Sequence, residues 1–425
     1  MPAGFSEDAT QYRPVENIDA FKNLFPPPIE FVEGSSSGSF VLDEGKYQPI
    51  NSVSTAPRTE VRTEQPPEVL PSVEAIAEPQ PQEAKPTTQP APSTAKAPKL
   101  SHSTVAGKDL YSGNLNTTWP SRASIGAGLQ NTGNTCFLNS ALQCLLHTPP
   151  LLHILQSHSQ TDPFAKNAFC MTCGLRQVML ETHERRRSYA PYPIVTKLQV
   201  IAKSMRRGRQ EDAHEFLRYA IDALQKSCLA GHPAKIDPKL AETTWVHKIF
   251  GGRLRSRVTC LDCGYNSDTF DRILDLSIDI YGVNTLKEAL RKFVAVDHLK
   301  GADKYKCEKC KKPVTADKQF TLHEAPLVLT IHLKRFSPMG RKIGHPVKYD
   351  ERLSLQPIMS DGQYGPTYSL YGIISHAGGG PNSGHYYAHV KSADGHWYEM
   401  NDESVSRQFG SPTTMKNAYI LFYIR

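Results

Sequence analysis

Residues 128–139 read GLQNTGNTCFLN, a Gly/Asn/Thr-rich loop that runs into Cys136 and an apolar stretch. Phe137, Leu138, Ala141, Leu142, Leu145 and Leu146 recur with nearly helical spacing, which predicts a partly buried helix beginning at the cysteine. The pair Pro149-Pro150 is expected to stop it. Asn134 or Thr135 would cap that helix and place the Cys136 thiol in its first turn, where unpaired N–H groups and the positive dipole end favour a thiolate. A lone cysteine at the head of an apolar helix is ordinarily a buried structural residue. Whether this one is a nucleophile depends on what lies far downstream.

A cysteine nucleophile needs a histidine base and a group that orients the base, distant in sequence but adjacent in the fold. Residues 384–390, GHYYAHV, supply His385, and residues 401–404, NDES, supply Asn401 and Asp402. Gly384 lets the backbone approach closely, and Tyr386 and Tyr387 start a strand that would hold the imidazole. Adjacent residues on a strand point to opposite faces, so only one of Asn401 and Asp402 is expected to reach the ring.

Together the two boxes resemble those of the ubiquitin-specific proteases, whose cysteine and histidine boxes match GLQNTGNTCFLN and SGHYYAHV almost letter for letter. A third segment, QEDAHEFL at 210–217, resembles that family's QxDAxEFL signature. The resemblance covers about residues 126–425. It implies an α+β, papain-like fold with a thumb over about 126–245, fingers within about 246–326 and a palm over about 327–425. The activity it implies is hydrolysis of the isopeptide or peptide bond at the C-terminal glycine of ubiquitin. The roles that carry over are Cys136 as nucleophile, His385 as base, Asn401 as its orienter with Asp402 able to share the task, and Asn131 as a side-chain donor to the oxyanion. Asp212, with Gln210 beside it, would contact the basic tail of ubiquitin. The loop AGGGPNSG at 377–384 would line a narrow channel for the substrate's Gly-Gly end. Among relatives, GRQEDAHEFLRYAIDALQK and VHKIFGGRLRSRVTC look closest to the nuclear and nucleolar branch related to Scrawny, whose members carry long basic C-terminal extensions.

Read by themselves, several of these residues have plainer explanations. Gln210 and Asp212 suit the polar N-terminus of an amphipathic helix, in which Ala213, Phe216, Leu217, Ala220, Ile221 and Leu224 form the apolar face. Asn131 before Thr-Gly suits a turn. The glycine-rich loop leads into a strand, which makes it a poor phosphate cradle.

Two CxxC pairs, Cys260/Cys263 and Cys307/Cys310, offer four thiolates for one structural zinc ion of zinc-ribbon type. Leu254, Ser256, Val258 and Cys260 alternate as a strand leading into the first pair. In the family this region forms the fingers, which grip the body of ubiquitin. Between the pairs, 274–280 alternates as a strand and 285–293 reads as a helix. A third pair, in FCMTC at 169–173, has the same two-residue spacing but no partner pair at a usual distance. With His153, His158 and His183 nearby, it reads as ordinary thiols rather than a second zinc site. From Leu327 onward, short strands separated by Gly, Pro and Asp turns suggest an antiparallel sheet ending at Arg425.

The folded domain is expected to start near Gly126. Before it lie a Phe21–Phe31 apolar patch too short for a core, a Ser/Gly run and a Pro-rich run at 66–98, a composition that cannot offset its ordering entropy. The segment 1–125 is thus expected to be a disordered tail. The nine cysteines, four of them in paired motifs, suit a reducing compartment better than a disulfide framework. MPAGFSEDATQYRP has no basic n-region or apolar h-region, and no apolar run is long enough for a membrane span. A monomer in the nucleus, nucleolus or cytoplasm is expected. The net charge of +7 permits weak attraction to acidic partners but identifies no nucleic acid. A catalytically silent ubiquitin-binding module would be expected to have lost a triad residue, and none is missing. A zinc-ribbon interaction module would leave the cysteine and histidine boxes without purpose.

Overall fold

The computed structural model describes residues 109–425 except 122–123, 159–168, 234, 338–340 and 381–382. The chain divides into two units, Met1–Ala97 and Pro98–Arg425, and every described residue belongs to the second. The part of the expected tail before residue 109 lies outside the described residues.

The apolar spacing after Cys136 produces α1 (Cys136–Leu146), every residue of which is buried. Here the prolines do something other than expected: α1 ends at Leu146, and Pro149 and Pro150 open α2 (Pro149–Ser157). At the first helical positions a missing N–H costs nothing and the fixed φ is already helical. α3 (Met171–Met179) follows, then the one-turn helices α4 (Tyr192–Val195) and α5 (Leu198–Ile201). α6 (Ala213–Leu229) buries the six apolar residues picked out by its spacing, and α7 (Pro238–Ala241) and α8 (Trp245–Phe250) complete the helical part. Phe216 of α6 meets Phe137 of α1 edge to face, with ring centroids 5.7 Å apart, so the QEDAHEFL helix is packed directly onto the cysteine helix.

Packing begins earlier than the expected boundary at Gly126. The Leu110 N–H donates to Thr243 Oγ1 (2.8 Å), the Tyr111 N–H to the Thr243 carbonyl (3.1 Å), and Lys248 pairs with Asp109. Tyr111, Leu115 and Trp119 pack against the helical core. Isolated apolar residues among Gly, Asn and Thr have neither helical nor strand period, so this segment leaves no pattern to read.

The strands follow as β1 (Gly252–Cys260), β2 (Asn266–Ile273), β3 (Leu276–Asp279), then α9 (Leu286–Phe293), β4 (Asp297–Leu299), β5 (Tyr305–Lys306), β6 (Pro313–Val314) and β7 (Ala316–Glu324). After them come β8 (Val328–Lys334), β9 (Arg352–Ser354), β10 (Thr367–Gly380), β11 (Ser383–Lys391), β12 (Trp397–Asn401), β13 (Ser404–Gln408) and β14 (Ala418–Ile424). They form a four-stranded sheet in the order β2-β1-β7-β4, a small β5-β6 pair, and a large sheet β13-β12-β11-β10-β14-β8-β3 with β9 beside β10. The strand and helix expected between the CxxC pairs are present as β3 and α9, the latter closed by a Thr285/Glu288 capping box. They do not belong with the fingers, however. β3 joins the large sheet parallel to β8, whereas the strands from Val328 onward pair antiparallel with one another, as expected.

Helices cover one face of the large sheet and α9 covers the other, so its central strands are buried on both sides. Ile374, Ile420 and Phe422 face the helical core, while Ile373, Leu421 and Tyr423 face a second core with Leu286 and Leu290 of α9. This explains why AYILFYI reads as an unbroken apolar run although its neighbours alternate in direction.

Candidate active site

Cys136 is the first residue of α1 and is 5% exposed. The loop before it is held by Asn131, whose Oδ1 accepts the N–H groups of Gly133 (3.0 Å) and Thr135 (3.1 Å). Asn134 takes a left-handed φ of 54° and donates through Nδ2 to the Gly208 carbonyl (2.8 Å). Thr135 stands at the cap position but makes no capping bond. Its hydroxyl instead accepts from Thr132 N–H (3.0 Å). No cap side chain covers the first-turn amides of α1, and the Cys136 sulfur is the group beside them.

Burial raises the Cys136 thiol above the usual cysteine range. The Tyr386 N–H opposes this, the Asp402 carboxylate adds to it, and the N–H groups of Phe137 and Cys136 oppose it more weakly. The helix-start amides favour the thiolate as expected, but desolvation by burial is the larger effect and acts against it. The same contacts place the sulfur beside β11, next to the residue that follows His385.

His385 Nε2 lies 2.7 Å from Asn401 Oδ1. Because that oxygen can only accept, Nε2 carries the hydrogen and Nδ1 is the basic nitrogen. Asn401 ends β12, and the chain then turns left-handed at Asp402 (φ 50°). This turn, rather than strand alternation, separates the two side chains. The Asp402 carboxylate accepts from Asn131 Nδ2 (2.9 Å) and Asn139 Nδ2 (2.8 Å), and its carbonyl accepts the Leu129 N–H (2.8 Å). A side chain at Gly128 would collide with the Glu403 backbone, so the loop can approach this turn only with glycine there. Asn139 was not singled out by its sequence. Its only signal is polarity on a helix whose neighbours Leu138 and Ala141 are core residues.

Gln210 Oε1 accepts the Gly384 N–H (2.9 Å) and so joins the start of the α6 segment to the strand carrying His385. Asp212 is the α6 cap: its Oδ1 accepts from the N–H groups of His214 (2.8 Å) and Glu215 (2.9 Å), while Oδ2 accepts from the hydroxyls of Tyr419 (2.6 Å) and Tyr386 (3.4 Å). The plain reading, polarity at a helix start, is thus realised at Asp212. The AGGGPNSG stretch is also tighter than a loop: β10 runs to Gly380, opposite Ser383 of β11, with a register slip after Ala377. Gly384 has φ 144°, and a Cβ there would overlap the Ala377 carbonyl and the His376 ring, so no other residue fits before His385.

The four finger cysteines converge away from these residues. Cys260 and Cys310 sulfurs are 3.9 Å apart, Cys263 and Cys307 sulfurs 3.8 Å, and all four lie within 4.8 Å of one another. A tetrahedral zinc with Zn–S of about 2.3 Å sets sulfurs roughly 3.8 Å apart, so the four residues fit that ion. The Cys310 N–H bonds to Cys307 Sγ (3.4 Å) and draws that thiol down, while the thiols of Cys260 and Cys310 are raised, partly by their sulfur neighbours, so a cation among the four is what would let them all ionise.

Residues 127–423 match the ubiquitin carboxyl-terminal hydrolase family. The chain is 44% identical over 310 residues to human ubiquitin carboxyl-terminal hydrolase 42, spanning 72% of this chain and 23% of that one. To human ubiquitin carboxyl-terminal hydrolase 17-like protein 6 it is 41% identical over 305 residues, 71% of this chain and 75% of that one. Among solved structures it resembles a SAGA DUB module of Ubp8, Sgf11, Sus1 and Sgf73 bound to monoubiquitin, with a TM-score of 0.63 and 31% identity over 70% of this chain and 68% of that one. The same module bound to ubiquitin aldehyde gives a TM-score of 0.62 at 30% identity, covering 70% and 69% of the two chains. The cysteine at the head of a buried helix, the Asn-paired histidine and the match across nearly all described residues have one explanation: this chain belongs to the ubiquitin carboxyl-terminal hydrolase family.

Proposed function

We propose that this protein is a thiol-dependent deubiquitinase that cleaves the isopeptide or peptide bond after the C-terminal glycine of ubiquitin. The observation that carries this reading is the 2.7 Å bond from His385 to Asn401, on the strand whose next N–H reaches the Cys136 sulfur. Burial favours the protonated form of the Cys136 thiol, so the attack begins with removal of its proton. Nδ1 of His385 takes the thiol proton as sulfur attacks the glycine carbonyl. The oxyanion receives the N–H of Cys136 and the second amide hydrogen of Asn131, the first being bound to Asp402. The imidazolium then gives its proton to the leaving amine, and water activated by His385 hydrolyses the thioester.

Ubiquitin and ubiquitinated proteins are the proposed partners, in keeping with the relatives solved with ubiquitin or ubiquitin aldehyde. In this reading Gln210 and Asp212 border the path of the ubiquitin tail, and a zinc ion held by Cys260, Cys263, Cys307 and Cys310 stiffens the fingers. No helix among the described residues is long and apolar enough to cross a membrane. The proposed site of action is the nucleus, on the likeness of GRQEDAHEFLRYAIDALQK and VHKIFGGRLRSRVTC to the nuclear branch and on cysteine usage that suits a reducing compartment. The test of the function is a ubiquitin probe carrying a C-terminal electrophile. It should label wild-type protein at Cys136, and Cys136→Ala should abolish both labelling and turnover of conjugates while retaining ubiquitin binding. Turnover by the alanine variant above background would overturn the assignment.

A further inference from the structure

The thiol pair in FCMTC has a third neighbour that its sequence spacing conceals. α2 ends at Ser157, and His158 follows directly. Cys170 caps α3, and Cys173 lies in its first turn. Across this junction His158 Nε2 is 3.1 Å from Cys173 Sγ and 3.8 Å from Cys170 Sγ, and the three atoms lie within 4.8 Å of one another. Around a tetrahedral zinc, a nitrogen and a sulfur ligand are separated by roughly 3.6 Å and two sulfurs by roughly 3.8 Å. The three atoms are close enough together to share one ion, with the His158–Cys170 distance near this value and the His158–Cys173 distance about half an ångström shorter.

A second observation comes from the backbone. The Cys173 N–H donates to Cys170 Sγ at 3.4 Å, the same bond at the same length as Cys310 N–H to Cys307 Sγ in the fingers. The Gly174 N–H then returns to the Cys170 carbonyl (3.1 Å), as the Lys311 N–H does to Cys307 (2.8 Å) and the Gly264 N–H to Cys260 (2.9 Å). All three CxxC segments thus share the backbone turn from the first cysteine's carbonyl, and two of them the N–H to sulfur bond. The finger knuckles reverse the chain at left-handed Gly264 and Lys311, whereas this one runs on into α3. Cys170 is buried, while His158 and Cys173 are partly exposed, so an ion has a route in.

We propose that His158, Cys170 and Cys173 bind a second zinc ion, which ties the end of α2 to the start of α3. Two thiolates and a neutral imidazole balance the charge of the ion, and among the described residues no further Cys, His, Asp or Glu joins these three, so the fourth position is filled by a further donor. Both helices pack against α1, so the ion braces the scaffold behind Cys136 without touching the reacting atoms. Its role is structural.

The test is a metal count on purified full-length chain by elemental analysis. Two zinc ions per chain are expected, falling to one in Cys170→Ser/Cys173→Ser and to one in Cys307→Ser. Cobalt added to metal-stripped wild-type protein should show sulfur-to-cobalt charge transfer from two sites, with the weaker, two-sulfur component missing in His158→Ala. A single zinc in wild-type protein, unchanged by Cys170→Ser/Cys173→Ser, overturns the proposal, as does a Cys170–Cys173 disulfide found by mass in freshly isolated protein. Should the double variant fail to fold, the wild-type count and the His158→Ala cobalt spectrum decide the question without it.

Discussion

Replacing Asp402 with asparagine should make the enzyme slower and its cysteine more reactive at the same time. The carboxylate accepts one amide from Asn131 at 2.9 Å and another from Asn139 at 2.8 Å. Asparagine tolerates the left-handed φ of 50° at this position, so the turn survives. One end of the new side chain, however, is an amide nitrogen that faces an amide nitrogen, and the other end has lost its charge. A hydrogen bond to a charged group contributes about 1.5–3 kcal/mol. Asn131 keeps its bonds to the Gly133 and Thr135 N–H groups, so its donor is misplaced rather than released. Complete loss of an oxyanion donor lowers kcat by about 10²–10³. Partial loss belongs at the low end, about 10²-fold, or about 2.7 kcal/mol. Alkylation by iodoacetamide forms no oxyanion and responds only to the thiolate. Because the Asp402 charge helps hold the Cys136 thiol up, its removal lowers that pKa, raises the thiolate fraction at neutral pH and moves the alkylation profile toward lower pH. The assays are hydrolysis of a fluorogenic ubiquitin amide and the pH dependence of iodoacetamide labelling. Undiminished kcat, or slower alkylation, would refute the reasoning.

Asn401→Ala removes the 2.7 Å bond that sets the His385 tautomer, and kcat should drop by roughly 10²-fold with KM little changed. If that variant keeps its activity while Asp402→Asn is inactive, the aspartate is the orienter. Cys307→Ser should release the finger zinc and weaken hydrolysis of ubiquitin substrates, yet leave iodoacetamide labelling of Cys136 unchanged, since the two sites are separate. Asp212→Ala loses the α6 cap and the Tyr419 hydroxyl bond, together about 2–3 kcal/mol. Scanning calorimetry should show the transition lowered by roughly 4–10 °C, and an unchanged transition would mean the cap is not what Asp212 provides.

Periodicity made the helices at Cys136 and Ala213 and the strands β3 and β14 legible, because burial of one face or of both leaves a repeat in the chain. The finger site was legible for a related reason: a four-thiolate zinc site built from two local turns writes its spacing twice, at Cys260/Cys263 and Cys307/Cys310. Residue types likewise marked Cys136, His385 and the Asn401–Asp402 pair. Which of that pair meets the imidazole had no local signature, since it is decided by a left-handed turn after β12 and by Asn131 and Asn139 arriving from the other side of the site. Pro149 and Pro150 were expected to end α1, but the same residues suit the first turn of a helix, and the packing of α2 makes them its start. β3 and α9 went to the large sheet because a strand's partner is chosen by which core its apolar face can enter, not by its place between two metal motifs. The Cys136 thiol is raised for the same kind of reason: the helix start that lowers it is local, but the burial and the carboxylate that outweigh it come from elements far along the chain. His158 meets Cys170 and Cys173 only because α2 and α3 pack side by side, so that cluster too belongs to the tertiary structure alone.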